Sequence, residues 1–331
     1  MMDARIERQP NEQYDDYFVR LFENKRMYGL TCEDIAVILN KETGQSFGES
    51  AYRKEYASFN RGRLYERNKR EENVHTRILT ISDLHIPFHK PVETFAAYAG
   101  MVDVLQLNGD ILDCQAISKF SKSYRVSPLE EMIVARQYLI ELIDYIHPKK
   151  VVAVYGNHDI RLGAYLAKNL DNELQELMPE TALDYIFLDG FTHYDRREHT
   201  KTHYDPLCDV FEGTGIEIEY CGKWYSQIGS TIFCHPRAFS SNPMKTAEKA
   251  MLWFRNQGFT FDSLVMAHTH RVGSYKIGNT TIYEQGAACN TEKMQYGDGL
   301  LMNSQKEGYM VVCLDKDGKN VEENTKIIPL N

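Results

Sequence analysis

The sequence predicts an α/β domain preceded by a small all-α module. Three observations lead there: residues before about 72 carry helical spacing and no strand-like runs, short apolar runs alternate with helix-like stretches from Thr76 onward, and strand patterns return late, between Thr231 and Leu314. The boundaries read as 1–72 for the helical module and 73–331 for the α/β domain, with 163–225 as an insert. A chain of 331 residues has room for one large and one small domain at about 100 to 200 residues each. Its net charge of -9 argues against a surface that binds nucleic acid or anionic membrane throughout, while leaving local patches open. The seven cysteines show no C-x-x-C pair and read as reduced thiols. No apolar leader stands at the N-terminus and no window approaches the ~18 apolar residues of a membrane span, so the expectation is a soluble, cytoplasmic protein without membrane partners.

In the N-terminal module, Thr31-Cys-Glu-Asp34 is a helix start of the T-x-x-D kind, leading into Ile35, Ile38 and Leu39 on one face. Gly44-Gln-Ser46 breaks the pattern, and Glu49 to Arg63 resumes it with Tyr52, Tyr56 and Phe59 at helical intervals. Two short helices around a glycine-containing break are helix-turn-helix-like. Between Ser50 and Arg70 stand seven Lys or Arg against two Glu, a basic segment in an acidic protein. Such a segment suits phosphates, with Arg53, Lys54, Arg61 and Arg63 as the candidate nucleic-acid contacts. A solvated linker behind a packing or dimerisation module accounts for the same charges equally well.

From Thr76 the elements follow in order. Ile78–Ser82 is a strand, Glu93–Gly100 a short helix, and Val104–Leu107 a second strand ending at Gly109-Asp110. Ser127-Pro-Leu-Glu130 is a capping box with proline at the first helical position, opening a long helix that stops before Pro148. Val151–Tyr155 is a third strand, delivering Gly156-Asn-His-Asp159. Such βαβ units cross over right-handedly and set the loops after their strands along one edge of a parallel sheet. A helix is expected near Ala164–Leu177, followed by a polar region whose His193, His199 and His203 read as loop histidines before metal ligands. Later strands are expected before His235, before His268-Thr-His270, at Thr280–Tyr283 and at Tyr309–Leu314. The tail after Asp315 reads as peripheral.

The chemistry lies at the strand ends. Asp83 and His85 end the first strand, where alternation along extended backbone would send both side chains to one side as a chelate for a divalent cation. Asp-x-His at 83–85, Gly-Asp-x-x-Asp at 109–113, Gly-Asn-His-Asp at 156–159, His235, and His-x-His at 268–270 follow in that order. In this order they resemble the calcineurin-like metallophosphoesterase superfamily, over roughly residues 76 to 315. The resemblance implies a β-sandwich of two mixed sheets flanked by helices, with Thr280–Tyr283 and Tyr309–Leu314 in the second sheet, and two divalent cations, one on Asp83, His85 and His270, the other on Asn157, His235 and His268, with Asp110 bridging. It implies His158 as the residue that protonates the leaving group or stabilises the transition state, and Asp113 as the carboxylate that orients it. His89 and Arg161, just beyond two motifs, are candidate phosphate contacts. Mixed imidazole and carboxylate ligands suit Mn, Fe, Zn or Ni better than Mg or Ca, with manganese first.

For the substrate, Cys114 stands where the Ser/Thr phosphatases carry Arg, and Asp113 where the SbcD-type repair nucleases carry His. Gly-Asp-Ile-Leu-Asp113, Ser118-Lys-Phe120 and Gly-Asn-His-Asp-Ile-Arg161 are similar to metallophosphoesterases of bacteriophages and prophages. The leading expectation is a nuclease acting on DNA, held by the basic module. The alternatives are a phosphatase or nucleotide or cyclic-nucleotide phosphodiesterase acting on small substrates, and a non-catalytic DNA-binding adaptor.

Overall fold

The computed structural model describes residues 6–25, 27–70, 73–118, 126–170, 178–294 and 305–330, without the side chains of residue 64 and residues 66–70. The basic residues Arg67, Lys69 and Arg70, the Lys119-Phe120 end of one motif and the last turns of the helix expected toward Leu177 therefore lie outside the described side chains. The chain divides into two compact units, Met1–Glu72 with Glu93–Ala96, and the remainder.

The first unit holds three helices, Tyr14–Glu23, Cys32–Thr43 and Glu49–Arg70. The middle one starts at Thr31, whose hydroxyl accepts from the Asp34 amide while Asp34 returns the bond to the Thr31 amide, and ends at Gly44 in left-handed conformation. The third helix is not short: it continues to Arg70. Tyr17, Phe18, Leu21, Ile35, Leu39 and Tyr52 close the core of this unit, with Phe22 stacked on Tyr56 at 4.7 Å.

The second unit is a sandwich of two mixed sheets. One has six strands in the order β13-β12-β1-β2-β3-β6: β1 Thr76–Ile81, β2 Val104–Asn108, β3 Lys150–Val154 and β6 Glu217–Tyr220 run parallel, and β12 Gly308–Leu314 and β13 Lys326–Pro329 add an antiparallel edge. The other has five in the order β10-β11-β9-β8-β7: β8 Thr231–Cys234, β9 Ser263–Met266 and β11 Thr280–Gln285 are parallel, flanked by β7 Tyr225–Ile228 and β10 Val272–Ile277. Ile78, Val104, Val152, Val312, Phe233, Val265 and Tyr283 meet between the sheets, and helix Lys245–Asn256 covers the outer face of the five-stranded one through Ala247, Ala250, Met251 and Phe254.

Three expectations change. Thr280–Gln285 and Gly308–Leu314 do not share a second sheet: the latter pairs with β1. Both are buried along their whole length, so alternation in sequence has no face to report and pairing alone assigns them. Within 163–225, Glu217–Tyr220 is a strand of the main sheet beside β3. The tail supplies an edge strand at Lys326–Pro329. His193, His199 and His203 lie on a hairpin of β4 Phe191–Asp195 and β5 Thr200–Tyr204. There His203 meets Thr192, and His199 meets Tyr194. They form no metal-holding group among the described residues. Among those residues, no helix is long and apolar enough to cross a membrane.

Candidate metal centre

The loops after β1, β2, β3, β8 and β9 converge at one edge of the sandwich. The Asp83 amide donates to the Gly109 carbonyl at 3.0 Å and the His85 amide to the Asp110 carbonyl at 3.0 Å, so the first two loops run side by side. The next is drawn in by carboxylates: Asp110 accepts from the His158 amide at 2.7 Å, and Asp159 from Gly156 at 2.7 Å and Leu112 at 3.0 Å. Burial, then the neighbouring Asp110 charge, pushes the Asp159 carboxyl up to about 7. The glycines are required by space. A Cβ on Gly109 would stand 2.6 Å from His235 Nδ1, and one on Gly156 would stand 2.1 Å from Asp110 Oδ1.

Asp83 and His85 do not alternate along an extended strand. Strand β1 ends at Ile81, and both residues take left-handed backbone, with φ of 52° and 43°. Asp110, His268 and His270 do the same, at 50°, 83° and 49°. Asp and His tolerate this region better than most residues, and its cost of about 1–3 kcal/mol each is the kind of strain concentrated at functional sites.

Among the described residues, three groups of side chains here could hold a metal ion: Asp83, His85 and His270; Asp110, His235 and His268; and His85, Asp113 and His158, which shares His85 with the first. In the first, His85 Nε2 and His270 Nε2 face each other at 3.1 Å, and Asp83 Oδ1 lies 3.1 Å from His270 Nε2. In the second, Asp110 Oδ2 is 3.2 Å and Asn157 Oδ1 3.3 Å from His235 Nε2. His235 Nδ1 is fixed by the Asn108 carbonyl at 2.9 Å, a backing that orients a ligating imidazole. The buried Nε2 of His268 has no hydrogen-bond partner. Paired imidazole nitrogens, an orphaned third and converging carboxylates make a donor set that fits divalent cations.

Asp113 accepts from two rings, His85 Nδ1 at 3.2 Å and His158 Nδ1 at 3.0 Å. It therefore supports His85 as well as His158, a link that its spacing from Asp110 does not announce. The Arg161 guanidinium donates to the Asp113 carbonyl at 2.8 Å and stands 2.8 Å from His158 Nε2. Arginine only donates, so His158 Nε2 accepts and Nδ1 carries the proton. Burial lowers the His158 ring to about 4. Burial also opposes charge on His85 and His235, but contacts with Asp113 and Asp83 for the former and Asp110 for the latter outweigh it, raising them to about 10 and about 9. Such protons occupy nitrogens that a cation would take.

His89 joins none of these groups. Its ring packs on Tyr138 at 4.2 Å, its backbone pairs with Cys289, and burial lowers its pKa. In the helical unit Arg53 pairs with Glu49 at 3.2 Å, and Arg63 pairs with Glu23 at 2.7 Å and lies over Phe59. Lys54 and Arg61 are exposed. Asp159 and the Asn108 carbonyl are the supports that sequence reasoning missed; the only signal for Asp159 was its place at the end of Gly-Asn-His-Asp.

Among solved structures, the fold is similar to a novel archaeal phosphodiesterase (13% identity, 77% of this chain and 99% of that one, TM-score 0.36). It is also similar to vacuolar protein sorting 29 from Cryptosporidium parvum (15%, 78% and 100%, TM-score 0.37) and to a metallophosphoesterase from Sphaerobacter thermophilus (14%, 77% and 88%, TM-score 0.35). Residues 2–71 match the YonJ N-terminal domain. A curated relative, the SPbeta prophage-derived uncharacterized protein YonJ of Bacillus subtilis (strain 168), is 40% identical over 70 residues, 21% of this chain and 17% of that protein's length. Residues 76–272, more than half of the chain, match the calcineurin-like phosphoesterase domain, and the chain belongs to that family.

Proposed function

We propose that this chain is a two-metal phosphodiesterase that cleaves DNA, with manganese as the working ion. The family supplies the coarser part: a calcineurin-like phosphoesterase domain is a hydrolase of phosphoester bonds, and the His and Asp groups suit divalent metal ions. The observation that carries the two-ion reading is Asp110 Oδ2. It lies 3.7 Å from His85 Nε2 of one group and 3.2 Å from His235 Nε2 of the other, so one carboxylate faces both. Two cations bound there would supply a hydroxide at neutral pH and neutralise the nonbridging phosphate oxygens.

The chain's own residues do the rest. Asp83, His85 and His270 would hold one cation and Asn157, His235 and His268 the other, while Asp113 fixes His85 and His158 by their Nδ1 atoms. His158 Nε2 faces Arg161 at rest. A substrate phosphate competes for that guanidinium; with Arg161 drawn to the phosphate, the freed Nε2 takes up a proton from solvent, favoured by the negative charge beside it, and passes that proton to the leaving oxygen. DNA as the polymer is supported by the exposed Lys54 and Arg61, which form no ion pair among the described residues.

The test is digestion of single- and double-stranded DNA with Mn²⁺ beside a chromogenic phosphodiester and phosphomonoester, with EDTA and Asp110→Asn as controls. DNA cleavage abolished by both controls is the expected result, with DNA affinity falling as salt rises and falling further in Lys54→Glu/Arg61→Glu. Turnover of the small esters alone would make the chain a hydrolase of small phosphates.

A further inference from the structure

We infer that the cleft beside His235 is a stacking subsite for an unpaired nucleotide flanking the phosphate under attack, a proposal that rests on the DNA reading above. The cleft measures about 550 Å³ and is lined by Tyr155, Trp224, Arg237, Thr246, Lys249 and Trp253, among others. Its walls belong to the same backbone framework as the ligands. The His235 amide donates to the Trp224 carbonyl at 2.8 Å, and the Tyr155 amide to the Lys223 carbonyl at 3.0 Å. Arg237 follows His235 by two residues, and Tyr155 directly precedes Gly156-Asn157.

Aromatic surface and positive charge coincide here. Trp253 remains 41% exposed although its ring lies 5.0 Å from Trp224. Phe239, on the loop that follows Arg237 and outside the cleft lining, is 49% exposed, with His268 at 6.1 Å and the Arg271 guanidinium over its ring at 5.6 Å, so Trp253 is the ring the cleft itself leaves open. Arg237 and Lys249 are exposed and form no ion pair among the described residues, in a protein of net charge -9. Aromatic faces open to solvent beside unpaired cations are the chemistry that holds single-stranded nucleic acid, bases on the rings and phosphates on the cations. A duplex keeps its base faces stacked on each other, so the occupant is a nucleotide outside a duplex.

The chain contains two tryptophans, and both line this cleft, so intrinsic tryptophan fluorescence reports on this place alone. The full-length Asp110→Asn protein, titrated with a short oligothymidylate, is expected to show saturable quenching. Trp253→Ala or Arg237→Ala should weaken binding about tenfold, Trp253→Phe should retain it, and a blunt duplex of equal length should quench little. DNA cleavage by the wild-type enzyme without any quenching, or equal quenching by the duplex, would overturn the subsite while leaving the nuclease reading in place. Quenching by oligothymidylate without DNA cleavage, beside turnover of a chromogenic diester, would uphold the subsite and overturn the polymer reading.

Discussion

At the candidate metal centre Asp83, His85, Asp110, His268 and His270 all take left-handed backbone, whereas in the helical unit the residue that closes the second helix in that conformation is Gly44. The centre holds buried carboxylates and imidazoles against their desolvation cost; the helical unit leaves Arg53, Lys54 and Arg61 in water. Chemistry that needs atoms within a few ångström of one another fixes residue identity, spacing and even backbone strain. Charge on a solvated helix face fixes none of these, and its sequence signal is correspondingly weaker.

The sharpest way to break this contrast is Gly156→Ala. Its Cβ would meet Asp110 Oδ1 at 2.1 Å and the Asp110 amide nitrogen at 2.4 Å. Bound metal and turnover should both fall to background, read by elemental analysis and diester hydrolysis; a variant with normal metal content would show that the edge yields more easily than its packing implies. Next is His158→Ala, which should lower kcat by about 10²–10⁴ while metal content stays unchanged. Loss of metal instead would make His158 a ligand.

The smallest effect belongs to the helical unit. Glu12 and Arg20 pair at 2.6 Å and 2.8 Å, and the hydrogen bond from Arg20 holds the Glu12 carboxyl below its ordinary value of 4.5. A carboxylate lowered by folding adds stability above the unfolded value and loses it as pH falls through the folded one. Glu12→Gln should therefore cost about 1 kcal/mol or less at pH 7, measured by denaturant unfolding followed through helical circular dichroism. The difference from wild type should close in acid; a gap that persists below the carboxylate range would mean the pair contributes through packing.

How much was legible follows the same division. The capping boxes at Thr31 and Ser127 mark true helix starts because a side-chain oxygen must meet an orphan amide at a fixed offset. The strands before His235 and His268 are bracketed by motif and apolar run, and they stand where expected. The left-handed turns at Asp83 and His85 were not legible, since that conformation comes from hydrogen bonds to the loop at 109–110 rather than from local preference. Strand Glu217–Tyr220 escaped because an exposed edge with two glutamates shows little apolar signal. The double role of Asp113 and the tryptophan cleft both depend on segments distant in sequence, which only the fold brings together.

Whether Asp110 serves two ions can be read from the metal content of the full-length protein after Mn²⁺ loading and desalting, compared between wild type and Asp110→Asn. If one carboxylate serves both groups, wild type should hold two ions per chain and the variant should lose metal from both, together with its activity. Two ions retained in Asp110→Asn, or a wild type that binds none, would contradict the account.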